Sequence, residues 1–235
     1  MSEKTMLYIV RHGLTMFNTI GRAQGWSDTP LTKKGEDGIR ELGVGFVERG
    51  IEFNAAFSSD SGRTILTMDI LLEELGNPTI PYQKDKRIRE WCFGSLDGGY
   101  EGVLFDGILP RTDAYKNAKD LKNLTYQEIA DGLIEIDTAG WAQPWSVISE
   151  RILTGFENCV QAVANQGGGG NVLVVSHGMT IGTFCSLIHA QENQRGHIDN
   201  GSVTLVEYDK SEGFKLVKAG DMSYQKKGQE ILNRL

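Results

Sequence analysis

Two short apolar runs constrain the fold of this chain more than any other feature. "TMLYIV" at 5–10 runs directly into Arg11-His12-Gly13, and "NVLVVS" at 171–176 runs into His177-Gly178. Neither run alternates apolar with polar residues. Each therefore reads as a strand covered on both faces, the pattern of a parallel sheet packed between helices. Each also ends by presenting a histidine at the strand's carboxyl end, where open α/β sheets bind their ligands.

The chain between these runs supplies the covering helices. Residues 31–50 place Ile39, Leu42, Val44, Phe46 and Val47 at helical spacing, although four interior glycines weaken the pattern. Residues 61–76 read as a helix closed by Gly76 with Pro78 following, and 145–166 and 179–192 as two more. A second short strand is expected at 53–59, an extended segment at 79–90, and a terminal hairpin from "GSVTLVEYD" and "GFKLVKAGD" around "KSEG". The tail from 224 is a loose segment or a short docking helix. Residues 91–144 hold isolated aromatics and no long clean period, and read as an insertion with short helices. The expectation is one α/β domain over 1–235, a three-layer α/β/α arrangement. Its central sheet is mostly parallel with helices on both faces, and a lid region is inserted at about 91–144.

The net charge of −7 excludes a chain that seeks nucleic acid or an anionic membrane with its whole surface. Any anion must be held by a local positive cluster. Cys92, Cys159 and Cys185 are odd in number and lack CxxC spacing, which argues against a disulfide framework or a zinc site and for reduced thiols in a cytoplasm. No apolar run is long enough to span a bilayer, and none at the start resembles a standard signal.

The topology gathers a charged cluster at one edge. The first strand delivers Arg11 and His12, the second leads through "SSDSGRT" to Arg63, and the third delivers His177, with Gly178 allowing close backbone approach. Two arginines, two histidines and nearby helix amides suit a dianionic phosphoryl group, because each guanidinium fork bonds two oxygens at once. A neutral imidazole can attack phosphorus, and a protonated one can stabilise the charge on the equatorial oxygens, so two histidines could divide those roles. Glu90, closing the basic run "KDKRIRE", is the candidate acid for the leaving oxygen.

These segments together resemble the histidine phosphatase superfamily, in the branch that includes cofactor-dependent phosphoglycerate mutases. "RHGLTMFNTIGRAQGWSDTPLTKKG" (11–35), "SSDSGRT", "REWCFGSLDG" (89–98) and "VVSHG" resemble the family's motifs, in the family's order. The resemblance implies that His12 becomes a phosphohistidine, that Arg11, Arg63 and His177 hold the phosphoryl group, and that Glu90 donates and later accepts the proton. It also implies that Asn18, Gln24 and Gly25 touch phosphate or substrate, and that no metal or cofactor is needed. Leu14 departs from the Glu or Gln usual after RHG in this branch. Trp91-Cys92-Phe93 stands where the mutases place groups that grip phosphoglycerate.

The expected function is a phosphomonoesterase acting on a phosphorylated small molecule. A phosphoglycerate mutase is the alternative, and a non-catalytic phospholigand-binding module comes behind both. A homo-oligomer is possible but not readable. His189 and His197 match no motif and read as surface or helix-terminal residues. Lys84, Lys86, Arg87 and Arg89 read as a solvated basic face or as a steering patch for substrate. Tyr100, Phe105, Trp141 and Trp145 read as packing residues of which some line a substrate pocket. The "GGGG" run at 167–170 reads as a surface turn.

Overall fold

The computed structural model describes residues 4–77, 79–120, 124–164, 169–188 and 198–234. Strand β1 (Thr5–Arg11) pairs in parallel with β4 (Gly170–Ser176) on one side and antiparallel with β5 (Val203–Asp209) on the other. Beyond β4 lie β2 (Ala55–Ser58) and the short edge strand β3 (Tyr82–Lys84), both parallel to it, and beyond β5 lies β6 (Gly213–Asp221). The six-stranded order is β3-β2-β4-β1-β5-β6. The sheet is mixed: its four parallel strands are extended by the antiparallel terminal hairpin. Only three residues of the extended segment 79–90 pair as a strand. The chain then makes a tight 3-10 turn at Lys86–Ile88, capped by the Asp85 carboxylate on the Arg87 amide.

Strand periodicity sends alternate residues to opposite faces, and each face has its own core. Leu7, Ile9, Phe57, Val172 and Val174 pack with Ile152 and Phe156 of α6 (Trp145–Ala164) and Ile181 and Phe184 of α7 (Gly178–Ile188). Val10, Ala56, Leu173 and Val175 face α2 (Lys33–Glu48), α3 (Gly62–Leu75) and α8 (Ser223–Leu232). Full burial of one such side chain stabilises the fold by about 1.5–3 kcal/mol, so these two clusters make the three layers cohere.

The glycines that weaken the helical pattern of α2 allow its packing. A Cβ on Gly45 would stand 1.9 Å from the Tyr224 carbonyl oxygen of α8, and one on Gly228 of α8 would stand 1.7 Å from the Glu41 carbonyl oxygen. The tail is therefore a docked helix, and close backbone approach outweighs the helix propensity lost at glycine.

Residues 91–144 form a cap of short elements. They comprise a 3-10 turn at Gly94–Leu96, a π-helical turn at Gly102–Ile108, a 3-10 turn at Leu109–Arg111, α4 (Asp113–Lys116) and α5 (Tyr126–Ile136). Thr125 and Glu128 close a capping box on α5, whose Ile129, Ala130 and Leu133 join the core beneath. The remaining short helix, α1 (Met16–Thr19), follows β1. His189, His197 and residues 167–168 of the glycine run lie outside the described residues. Among the described residues no helix is long and apolar enough to cross a membrane.

Candidate active site

The register of β1 with β4 brings the two histidines together. Arg11 sits opposite Ser176, so the next residue on each strand, His12 and His177, leaves the sheet side by side. The two rings stand 5.3 Å apart between centroids, both buried. The Nδ1 of His12 lies 2.9 Å from the Gly13 carbonyl oxygen, which can only accept, so Nδ1 carries the proton and Nε2 carries the lone pair. Burial first, then the charges of Arg63 and Arg11, hold His12 well below the ordinary 6.5. It is a neutral base with its nucleophilic nitrogen fixed.

His177 has the opposite tautomer. Its Nδ1 accepts from Arg63 Nη2 at 2.9 Å, which puts its proton on Nε2, and Nε2–H donates to Ser59 Oγ at 2.7 Å. The Thr64 hydroxyl donates to the Ser59 and Ser61 carbonyls, so the 2.7 Å contact between Ser59 Oγ and Thr64 Oγ1 takes its proton from Ser59. Burial, followed by Arg63, also holds His177 well below 6.5, so the second histidine is neutral and not the protonated stabiliser expected from the sequence.

Both arginines sit in this cluster. Arg63 is fully buried, and its terminal nitrogens donate to Asp28, to the carbonyls of Ser27 and Gly25 and to His177. Arg11 donates through Nη1 to the Ile198 carbonyl. Each keeps a buried Nε–H with no hydrogen-bond partner among the described residues. An unsatisfied buried donor on a cation costs about 1–3 kcal/mol or more, and Arg11, which lines the same cavity as His12, marks a place there for an anionic oxygen.

Glu90 is buried, and its carboxylate caps α7. Oε1 accepts the amides of Trp91 and Thr180, and Oε2 accepts the Met179 amide at 3.0 Å. The helix amides expected to hold phosphate thus hold the acid instead, an anion on a helix N-terminus. Oε1 also lies 3.1 Å from the Thr180 hydroxyl, which leaves Oε2 as the oxygen with room for a proton.

Arg11, His12, Asn18, Gln24, Glu90 and Gly178 line one cavity of about 380 Å³. Arg63 and His177 are not among its described lining residues. Asn18 Oδ1 takes the Thr15 amide and Asn200 Nδ2, which leaves its own amide nitrogen for the cavity. Gln24 is held by the Thr15 and Thr29 hydroxyls. Gly25 is not among the described lining residues. Its amide donates to Asp97, and a Cβ there would stand 2.4 Å from the Trp91 carbonyl oxygen, so this glycine permits loop packing.

Of Trp91, Cys92 and Phe93, only Phe93 lines the cavity. Trp91 is core, its indole donating to Thr183, and Cys92 is buried with its thiol pushed up by burial. Cys159 and Cys185 are likewise buried, with thiols pushed up by burial, to about 12 for Cys185. Leu14 is not part of the cavity wall; its carbonyl accepts the Thr32 amide. Arg87 and Arg89 pair with Asp85 and Asp60, which partly neutralises the basic run.

Several supporting residues escape sequence reading. Asp97 accepts the amides of Gly25, Trp26 and Ser27 and so shapes the loop before Asp28. Arg151 of α6 donates to the carbonyls of Arg87, Arg89 and Glu90 and fixes the acid's backbone. Asn200 donates to the His12 carbonyl. Asp97 stands inside a recognisable motif, but Arg151 and Asn200 come from distant segments with no motif of their own.

The family model of the histidine phosphatase superfamily, branch 1, matches residues 7–221. The chain belongs to this superfamily. It is 30% identical over 226 residues to the probable phosphoglycerate mutase GpmB of Salmonella arizonae, covering 93% of this chain and 94% of that one. It also superposes on a phosphoglycerate mutase from Bacillus anthracis with a TM-score of 0.86 and 33% identity, over 97% of this chain and 98% of that one. A phosphoserine phosphatase from Entamoeba histolytica shares the fold at 19% identity and a TM-score of 0.67, over 94% of this chain and 98% of that one. The activities named among these relatives, mutase and phosphatase, have the handling of a phosphoryl group in common.

Proposed function

We propose that this chain is a phosphomonoesterase working through a phosphohistidine on His12. The observation that carries this reading is a fixed His12 Nε2 lone pair on the same cavity as Arg11, whose buried Nε–H has no partner among the described residues. In this reading the phosphate of the substrate sits against Arg11 with Asn18 at its side, and Arg63 and His177, engaged with each other, Asp28 and Ser59, act on it from outside the cavity lining. His12 Nε2 attacks phosphorus in line and the bond to the leaving oxygen breaks. Glu90, in its protonated form, gives its proton to the departing alcohol. Water then attacks the phosphohistidine, Glu90 takes the water's proton, and the N–P electron pair returns to His12 as phosphate leaves. Positioning and charge stabilisation carry most of the acceleration, as in phosphoryl transfer generally.

Hydrolysis is favoured over transfer by the cavity wall. Phe93, Phe105, Tyr126, Met179 and Ile198 line it, and Arg11 is the one cation among the described lining residues. Among the described lining residues a phosphoglycerate carboxylate would find no cation of its own. The mutase reading has the names of the relatives in its favour. One experiment separates the two. Wild type and His12→Ala are assayed with p-nitrophenyl phosphate in chelator, and then with 3-phosphoglycerate plus a bisphosphoglycerate primer. Aryl phosphate hydrolysis by wild type alone supports the phosphatase. Primer-dependent interconversion without hydrolysis overturns it in favour of the mutase. Loss of both activities with phosphate binding retained supports a binding module instead.

A further inference from the structure

One carboxylate in the cavity has no role in the reaction above. Glu101 lines the same cavity as Arg11 and His12, at the start of the π-helical turn of the cap, and its amide is anchored on the Gly21 carbonyl at 2.9 Å. Among the described residues its side chain has no hydrogen-bond or ion-pair partner. The nearby arginine, Arg22, is committed elsewhere: it donates to the Gly98 carbonyl and its guanidinium stacks over Tyr100 at 4.4 Å. Glu101 does contribute to the electrostatic surroundings of Arg11, which places the two charges on one cavity.

Occupation by phosphate changes what Glu101 faces. The dianion takes up the charge of Arg11, and Arg63 is already paired with Asp28 at 2.9 Å. Glu101 then confronts a phosphate that has already taken up Arg11, the one cation among the described lining residues. The other wall is aromatic: Phe93 and Phe105 meet edge to face, 6.0 Å between centroids and at 90°, and Tyr126 stands on the same lining. Aromatic faces attract alkylammonium groups, and a carboxylate in the same cavity pairs with them. A second anion on the leaving group would face repulsion with no compensating partner.

We propose that Glu101 is a specificity-determining residue that selects phosphate esters of cationic amino alcohols, with the ammonium group held between the Glu101 carboxylate and the Phe93–Phe105 wall. This rests on the phosphatase reading and names its substrate class.

The test measures kcat/KM on phosphocholine, phosphoethanolamine, glycerol 3-phosphate, 3-phosphoglycerate and p-nitrophenyl phosphate, for wild type, Glu101→Gln and Glu101→Lys. Wild type is expected to prefer phosphocholine over glycerol phosphate, and glycerol phosphate over 3-phosphoglycerate. Glu101→Gln should lower the phosphocholine-to-glycerol-phosphate ratio about tenfold, chiefly through KM, and Glu101→Lys should shift preference towards 3-phosphoglycerate. An unchanged ratio in Glu101→Gln, or 3-phosphoglycerate as the best wild-type substrate, overturns the proposal. If wild type fails even on p-nitrophenyl phosphate, the phosphatase reading falls by itself. Calorimetric binding of phosphocholine against glycerol phosphate, to wild type and Glu101→Gln, then decides the role of Glu101. Tighter phosphocholine binding that Glu101→Gln removes upholds it, and equal binding overturns it.

Discussion

His12 and His177 are held as opposite tautomers 5.3 Å apart, one donating from Nδ1 to the Gly13 carbonyl and the other from Nε2 to Ser59. Both are buried and kept neutral. The consequence for stability has a definite sign. Each folded-state pKa lies below the ordinary 6.5, so beneath that pH the unfolded chain takes up protons that the folded chain refuses. Stability is complete above pH about 6.5 and falls as the pH drops towards the folded values, by about 2.7 kcal/mol per pH unit for the pair. Urea denaturation between pH 7.5 and 5 should show this slope. His12→Asn should roughly halve it, and a flat wild-type profile would contradict the burial of two neutral imidazoles.

Ser59 is the acceptor that fixes the His177 proton on Nε2, and it is fully buried. Ser59→Ala strands that N–H, at a cost of about 1–3 kcal/mol. Arg63 still holds the proton on Nε2, but the ring loses its second anchor and is less firmly oriented. Denaturation midpoint and kcat/KM on an aryl phosphate should both fall, the latter by roughly 30-fold for 2 kcal/mol of lost organisation. An unaltered kcat/KM with reduced stability would confine Ser59 to folding.

Arg151 reaches from α6 to the carbonyls of Arg87, Arg89 and Glu90, each bond 2.8–3.0 Å, while Gln143 accepts from its Nε. Arg151→Met retains the stem's packing and removes the fork. The Glu90 carboxylate keeps its α7 amides, but the backbone that aims it loosens. We expect kcat to drop about tenfold with KM nearly unchanged, because proton delivery suffers more than phosphate binding. Stopped-flow or steady-state assays on a substrate with a poor leaving group would show the larger defect; a good leaving group needs less acid and should show a smaller one.

The parts of this structure legible in the sequence are those carried by contiguous residues. "RHG", "SSDSGRT" and "VVSHG" each combine a strand with the residue at its end, so the parallel order of β1, β2 and β4 brings Arg11, His12, Ser59, Arg63 and His177 to one edge. What the sequence hides depends on contacts between distant segments. The choice of α7's amides for Glu90, the hold of Asp97 on Gly25 and the support from Arg151 and Asn200 have no local pattern. The wall formed by Trp91-Cys92-Phe93 is partial for the same reason: which of three consecutive side chains faces a cavity depends on backbone turns that composition does not reveal. The edge strand β3 is shorter than its extended reading because the Asp85 cap turns the chain at once.

The packing of α2 on α8 makes a prediction far from the chemistry. Gly228 has no room for a methyl group: a Cβ would stand 1.7 Å from the Glu41 carbonyl oxygen and 2.9 Å from the Gly45 amide nitrogen. Both neighbours are backbone, so no side-chain rotation relieves the clash. Gly228→Ala must push α8 off α2, with a cost of about 1–3 kcal/mol or more, even though alanine is the better helix former by about 1 kcal/mol. At Gly213, by contrast, nothing stands within 4 Å of an added Cβ, and the penalty comes only from its positive φ of 79°. A urea series on the two alanine variants separates the effects. Gly228→Ala should lose clearly more stability than Gly213→Ala, whose strain is about 1 kcal/mol. Equal losses would mean that α8 can ride outward at little cost and that its docking adds little to the fold.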